Sequence, residues 1–389
     1  MNVFKKYENY KTMMSEKKDI FNFLENMDNN KISNNFLSKI ESVVMILPDI
    51  YPNLGGITSA LRILASFQKH GCQVTVALNS NMNIETAKKH ARECIPTFRG
   101  IVKKIDDCIA DSYDICIATN WESAYAANKL SGYKVYFVQD YEPTFHPTDD
   151  FSLLAKNSYR LGYHIISLGK WNIEQIKKNI PDTVSKLDFV DFPYDRNEYY
   201  YQTRDYLAYK NKKEINIACY IKYTGRRIPY ISEYILTKTK EMLEKRGYKV
   251  NIYYFGINKH IFFENGINLG KLTRQDLADL YIKMDFGMVA SMSNISLVPY
   301  EMLASGLPVI EFKDGSYPYF LGEDTALLTD FNYKTLCTQI LDVLQNPSKL
   351  VAMHERAKEK LAKFSWDETC NQFWNILQKT ISEKNVDEE

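Results

Sequence analysis

Between Ser293 and Ile310 the chain reads Ser-Asn-Ile-Ser-Leu-Val-Pro-Tyr-Glu-Met-Leu-Ala-Ser-Gly-Leu-Pro-Val-Ile, an order of residues suited to holding an anion. The apolar run Phe286 to Ala290 predicts a buried strand just before it. A polar turn follows, then a helix start near Ser296, a stop at Gly306 and a new strand from Pro308 to Phe312. A helix that begins just past a strand end points its free N–H groups and its positive dipole end at whatever lies above the sheet, and a phosphate suits both. Pro299 fits the first turn, where a missing N–H costs nothing. Glu301 falls within about two turns of the start, close enough to reach a sugar hydroxyl beside that phosphate. The residues Ser293, Asn294, Ser296, Leu297, Val298 and Glu301 therefore predict a nucleoside-diphosphate site. The plainer alternative is an ordinary strand–helix–strand unit of an α/β protein.

Other polar groups sit where strands end. Lys222 and the pair Arg226-Arg227 follow a predicted strand at Ile215 to Tyr220. Cations at the carboxyl end of a parallel strand face the crevice in which α/β sheets bind ligands. There they stabilise negative charge that grows as a bond breaks; the competing reading is a solvated basic loop. Gly55-Gly56 lies between the first strand and the first helix, where glycine permits close backbone approach or simply a tight turn. Gln139-Asp140-Tyr-Glu142-Pro-Thr-Phe-His146 follows a strand at Val135 to Val138, and Asn120-Trp121-Glu122-Ser123 follows another strand end. Local hydrogen bonding accounts equally for the first of these segments, and a helix cap beside a core Trp for the second.

The 286–312 segment resembles the donor-site signature of family-4 retaining glycosyltransferases, whose fold is GT-B. Their common pattern places two Glu residues around the spacing seen here between Ser293 and Glu301, with seven residues intervening, then small residues, Gly and Pro-Val-Ile. The resemblance implies that Glu301 binds the nucleotide ribose. Ser293 stands where the family has the Glu that holds donor-sugar hydroxyls, a departure that bears on donor identity and on activity itself. It also implies that Lys222, Arg226 and Arg227 neutralise the leaving diphosphate, that Gly55 and Gly56 face donor phosphates or acceptor, and that the loops at Gly256 and Gly270 hold the nucleobase. The stretch Phe137-Val-Gln-Asp-Tyr-Glu-Pro143 looks like one in bacterial surface-glycan rhamnosyltransferases that use dTDP-rhamnose. By that likeness Asp140, Glu142 or His146 orients the acceptor hydroxyl or the donor sugar; Asn120 and Trp121, from their place at another strand end, are expected to line the acceptor side with an aromatic platform. The Ser-Trp segment at Ser365-Trp366 resembles the family's terminal helix, which crosses back to the N-terminal domain.

Bulk properties fit this picture. The chain has 389 residues, 45% hydrophobic and 25% charged, with a formal net charge of +1, which argues against a nucleic-acid binder. Seven cysteines are scattered without Cys-x-x-Cys spacing, so reduced thiols are expected and neither a disulfide framework nor a zinc site is. No apolar run is long enough to span a bilayer. No Asp-x-Asp, no Gly-x-x-x-x-Gly-Lys-Ser/Thr loop and no Gly-x-Ser-x-Gly elbow is present. Hence no metal site is predicted, and the cation duty falls to the basic loop and the helix start.

Short apolar strands alternating with helices predict parallel sheets covered on both faces. Residues 1–40 are polar and predict a helical extension. Residues 41–195 predict a Rossmann-like acceptor domain, joined by a terminal helix at 364–383. Residues 196–363 predict a second Rossmann-like domain for the nucleotide sugar, facing the first across a cleft. The Tyr-rich stretch from Asp191 to Lys213 reads as the linker. The expected activity is metal-independent, retaining transfer of a sugar, with L-rhamnose from dTDP-L-rhamnose as the first choice, onto a growing bacterial cell-surface polysaccharide. A UDP-hexose donor, a sugar-nucleotide epimerase and a catalytically silent GT-B protein that binds glycan or a partner transferase are the rivals. A cytoplasmic location is expected, with a lipid-linked acceptor, peripheral contact at the inner membrane face and a homodimer left open.

Overall fold

The computed structural model describes residues 3–27, 37–52, 54–195, 197, 199, 203–223 and 227–382. It divides into two compact units, one of Met1–Val190 with Cys370–Glu389 and one of Asp191–Thr369. Among the described residues, no helix is long and apolar enough to cross a membrane.

The first unit opens with α1 (Val3–Met27), then alternates β1 (Ser42–Leu47), α2 (Gly55–Gln68), β2 (Gln73–Leu78), α3 (Ile84–Cys94), β3 (Ile101–Lys104), β4 (Ile115–Ala118), α4 (Trp121–Ala126), β5 (Tyr133–Val138), α5 (Asp150–Ser158), β6 (His164–Leu168), α6 (Lys170–Asn179) and β7 (Leu187–Val190). The strands form one parallel sheet in the order β3-β2-β1-β4-β5-β6-β7. Its central strands are apolar along their whole length because helices cover both faces, so β4 and β5 have no exposed position. The edge strands are less regular. Ile101 at the start of β3 and Phe189 in β7 are largely exposed, so neither presents the continuous apolar run that marks a central strand.

The second unit runs β8 (Glu214–Tyr220), α7 (Pro229–Glu244), β9 (Lys249–Phe255), β10 (Ile267–Asn268), α8 (Arg274–Lys283), β11 (Phe286–Met288), α9 (Leu297–Ala304), β12 (Val309–Phe312), α10 (Tyr317–Leu321), β13 (Leu327–Thr329), α11 (Tyr333–Gln345) and α12 (Ser348–Leu361). Its sheet is also parallel, in the order β10-β9-β8-β11-β12-β13. In both sheets the strand order reverses once, between β1 and β4 in the first and between β8 and β11 in the second. A reversal leaves a crevice at the carboxyl ends of the two strands, because their following helices depart to opposite faces.

The last helix, α13 (Trp366–Ser382), belongs to the first unit from Cys370 onward. The Phe373 ring meets Phe67 at 6.1 Å and Phe137 at 5.7 Å, and Trp374 stacks on His70 at 3.9 Å. Phe373 is fully buried, so this helix completes the cover over α2 and β5.

Several expectations need correction. Gly55 and Gly56 form the first turn of α2 and not a stretch between the first strand and the first helix, since the helix begins at Gly55. Much of the stretch read as a linker is core of the second unit. Tyr206 and Tyr209 are buried in it, their hydroxyls donating to Gly306 O at 2.7 Å and Asp285 O at 3.2 Å, and Arg204 donates to the carbonyls of Tyr281 and Met284. The phenol is the cause: a Tyr-rich polar-looking segment can bury its rings when each hydroxyl finds a carbonyl. The expectations for residues 28–36 and for Arg226 lie outside the described residues.

Candidate active site

The crevice of the second sheet is built by two loops, one after β8 and one after β11. The first carries Lys222, which is exposed, and leads to Arg227. The backbone after Arg227 is strained. Ile228 has φ 31°, the one positive value outside glycine among the described residues, and it precedes Pro229. A β-branched residue in the left-handed region is a true outlier, and a following proline disfavours helical backbone further. Such strain costs about 1–3 kcal/mol and persists where the surroundings hold it. Here it turns the chain into α7 directly after Arg227.

The Arg227 guanidinium spans the second loop. Nη1 donates to Ala290 O at 3.1 Å and to Ser291 Oγ at 3.4 Å, and Nη2 donates to Asn294 O at 3.4 Å. Ser293 and Asn294 are buried in this loop. Ser296 is the N-cap of α9, yet its side chain makes no capping hydrogen bond, and its Oγ is buried without a hydrogen-bond partner among the described residues. A serine at this position ordinarily satisfies an N–H of the first turn. Here Leu297 and Val298 begin the helix with no side-chain cap, which leaves first-turn donors and the dipole directed at the crevice.

Glu301 lies half-buried in the second turn of α9. Its charge helps to raise the pKa values of two phenols, Tyr220 at the end of β8 and the buried Tyr281 of α8, burial being the larger cause for both. Its carboxylate is thus within electrostatic reach of the β8 end. Gly256 has φ 102°, and a Cβ there would meet the Tyr220 ring at 2.6 Å. Gly270 has φ 83°, and its carbonyl accepts from Gly256 N–H at 2.9 Å. Gly256 therefore needs glycine for the close packing against Tyr220, and Gly270 for its positive φ beside Lys259, whose Cβ a side chain there would meet at 3.0 Å.

In the first unit the named residues serve mostly as structure. Asn120 caps α4, its Oδ1 accepting from Ser123 N–H at 3.0 Å, and Ser123 Oγ returns the contact in a capping box. Trp121 is buried among Phe23, Tyr125 and Phe151, so it offers no exposed platform. Glu142 is buried; its Oε2 accepts from Trp121 N–H at 2.6 Å and from Tyr136 O–H at 2.9 Å. Burial pushes its carboxyl up to about 8, against the downward pull of those two bonds. Asp140 accepts from Tyr141 N–H at 2.8 Å. His146 is half-exposed, its ring 6.2 Å from Trp121 and 5.7 Å from Phe151. Gly55 and Gly56 are exposed at the start of α2, which also lacks a side-chain cap, and a Cβ on Gly56 would stand 3.5 Å from Gln139 Oε1.

The structure thus gathers Arg227, the 290–296 loop and the start of α9 at one place, with Glu301 one turn further along that helix. Sequence reasoning missed Ser291, Glu311, Tyr220 and Tyr281. Glu311 had a usable signal, being a lone carboxylate inside the apolar strand Val309-Ile-Glu-Phe312. Among the described residues no group of three His, Cys, Asp or Glu side chains is placed to hold a metal ion.

No protein-family model and no curated protein matches this chain. Solved structures do. Sucrose-phosphate synthase from Thermosynechococcus elongatus superimposes with a TM-score of 0.67 at 13% identity, covering 88% of this chain and 100% of that one. HepE from Anabaena, in complex with UDP-glucose, gives 0.65 at 13% identity over 87% and 99%. WaaG, a glycosyltransferase involved in lipopolysaccharide biosynthesis, gives 0.60 at 15% identity over 86% and 99%. Identities this low establish shared architecture, and this α/β chain has the GT-B fold.

Proposed function

We propose that the protein is a glycosyltransferase whose second unit binds a nucleoside-diphosphate sugar and whose first unit receives the acceptor glycan. The observation that carries this reading is the uncapped start of α9 beside Arg227 at the strand-order reversal of the second sheet. Backbone N–H groups, a helix dipole and a guanidinium converging on one point suit a diphosphate. Glu301 then takes the ribose hydroxyls. Arg227, with Lys222 and the covalently adjacent Arg226, stabilises the diphosphate as it leaves the anomeric carbon. Positioning and charge stabilisation supply the catalysis, and retention of anomeric configuration follows the family resemblance.

For the donor we favour a UDP-hexose, because HepE, of the same fold, is in complex with UDP-glucose. A dTDP-rhamnose donor is the second reading, resting on the 137–143 segment. That segment discriminates weakly, since Tyr141, Glu142 and Pro143 are buried and serve packing. Ser293 in place of the usual Glu leaves more room and no charge where the donor sugar would sit. A surface polysaccharide or its lipid-linked precursor is the proposed acceptor, handled on the cytoplasmic side. The test is release of nucleoside diphosphate from UDP-glucose, UDP-N-acetylglucosamine, UDP-galactose and dTDP-rhamnose. Turnover of one of them, lost in Arg227→Ala, supports the assignment. Binding without turnover of any, across a panel of acceptor glycans, favours the silent scaffold.

A further inference from the structure

Ser291 is held from two sides. Its carbonyl accepts from Ser316 N–H at 2.7 Å and from Ser316 Oγ at 3.2 Å, and a Cβ on Gly315 would come within 2.5 Å of that same oxygen. On the other side stands Glu311, fully buried in β12. Its Oε1 accepts from Ser291 Oγ at 2.6 Å, and its Oε2 accepts from Ser291 N–H at 3.0 Å and Phe312 N–H at 3.3 Å. A fully buried carboxylate on an interior strand of a six-stranded parallel sheet needs such bonds to offset its desolvation.

The chemistry of these groups fixes a direction. An ionised carboxylate only accepts, so the Ser291 hydroxyl must give its proton to Glu311. Its lone pairs then face the remaining neighbour, Arg227 Nη1 at 3.4 Å. We infer that Arg227, Ser291 and Glu311 form a directional relay in which Glu311 is a positioning residue that orients the Ser291 hydroxyl to hold the Arg227 guanidinium beside the start of α9. Glu311 reaches no ligand itself; it acts through Ser291. Burial pushes its carboxyl up to about 7, against the pull of the bonds from Ser291 and the charge of Arg227, so the direction holds above that value, where the carboxyl is ionised. On the α10 side its neighbour is the buried Tyr317 phenol, which burial keeps neutral.

The inference rests on the donor-site reading and is tested separately from it. In Glu311→Gln the amide keeps the side chain's size, places its oxygen at the two backbone N–H groups and turns an NH2 toward Ser291 Oγ. The hydroxyl proton must then point elsewhere and competes with Arg227. Titration of UDP and dTDP by calorimetry into the full chain, at a pH above the Glu311 value of about 7, gives affinities for wild type, Glu311→Gln, Arg227→Ala and the double variant. With the tighter nucleotide, Glu311→Gln is expected to weaken binding about tenfold, the scale of one charge-assisted hydrogen bond. The same substitution in the Arg227→Ala background is expected to change nothing further, because the group it positions is gone. A purely structural Glu311 would give the same loss in both backgrounds, and that result overturns the relay. So does wild-type affinity in Glu311→Gln when Arg227→Ala is weak. Wild-type affinity in Arg227→Ala defeats the donor-site reading itself. If Glu311→Gln does not fold, Ser291→Ala replaces it in the same cycle, since it removes the hydroxyl that links the two charged groups.

Discussion

Replacing Glu142 with Gln should flatten the pH dependence of the first unit's stability. The Glu142 carboxyl titrates near 4.5 when exposed and is pushed up to about 8 by burial in the folded chain. Between those values the native state holds a proton that the unfolded state has released. The unfolded state binds fewer protons there, so stability falls as pH rises. The contribution is fully present below the unfolded value and is lost as pH rises through the folded one. One proton corresponds to about 1.4 kcal/mol per pH unit, so the loss between about pH 5.5 and 7.5 is roughly 2.7 kcal/mol. At typical urea slopes that equals a midpoint change of roughly 1–3 M. Gln keeps the acceptor for Trp121 N–H and Tyr136 O–H but cannot ionise. Urea unfolding followed by tryptophan fluorescence reports mainly on this unit, because three of the four tryptophans, Trp121, Trp171 and Trp374, lie in it and only Trp366 lies in the other. The wild-type midpoint should descend relative to the variant's across that range. Parallel curves with a constant offset would mean that Glu142 is ionised in the native state, and the argument from burial would be wrong.

Other consequences are as direct. Phe373→Ala removes a fully buried ring from the contact of α13 with Phe67 and Phe137, and should cost about 3–5 kcal/mol in urea unfolding; a loss under about 1 kcal/mol would show that the helix is not part of that core. Gly256→Ala puts a Cβ 2.6 Å from the Tyr220 ring at φ 102°, and should destabilise the second unit by more than about 1 kcal/mol. Hydrogen exchange in β8 and β9 would report it, and unchanged protection would contradict the close packing described. Phe23→Ala removes the ring that meets Trp121 at 4.9 Å and Tyr125 at 5.4 Å, and should expose α1 to trypsin at Lys17 and Lys18. A cleavage rate equal to wild type would show that other contacts hold the helix.

The alternation of strands and helices was legible because central strands of a covered parallel sheet are apolar throughout, as Val43 to Leu47 and Val135 to Val138 are. The start of α9 was legible for a similar reason, since Ser296, Pro299 and Gly306 punctuate it. The edges were not. Lys103 and Lys104 in β3, and Asp188 in β7, break the apolar run that a two-faced strand would show. Nor could the sequence distinguish Glu142 and Trp121 as core from the same residues as ligands, because a polar segment at a strand end looks alike whether its groups turn inward or outward. Burial and partners decide that, and both come from residues far apart in the chain. Glu311 and Ser291, with nineteen positions between them, illustrate the same limit. The residues proposed for the donor site lie along one segment and are read from its spacing, whereas Ser291 and Glu311 meet only through the parallel register of β11 and β12.

The central claim is that the start of α9 and Glu301 form a nucleotide site. Calorimetric titration of UDP and dTDP into wild type and Glu301→Ala addresses it most directly. The wild type should bind at least one nucleotide saturably and one-to-one. Glu301→Ala should bind it at least about tenfold more weakly, from the loss of a charged hydrogen-bond acceptor for the ribose. No heat of binding in the wild type, or equal affinity in the two proteins, would contradict it.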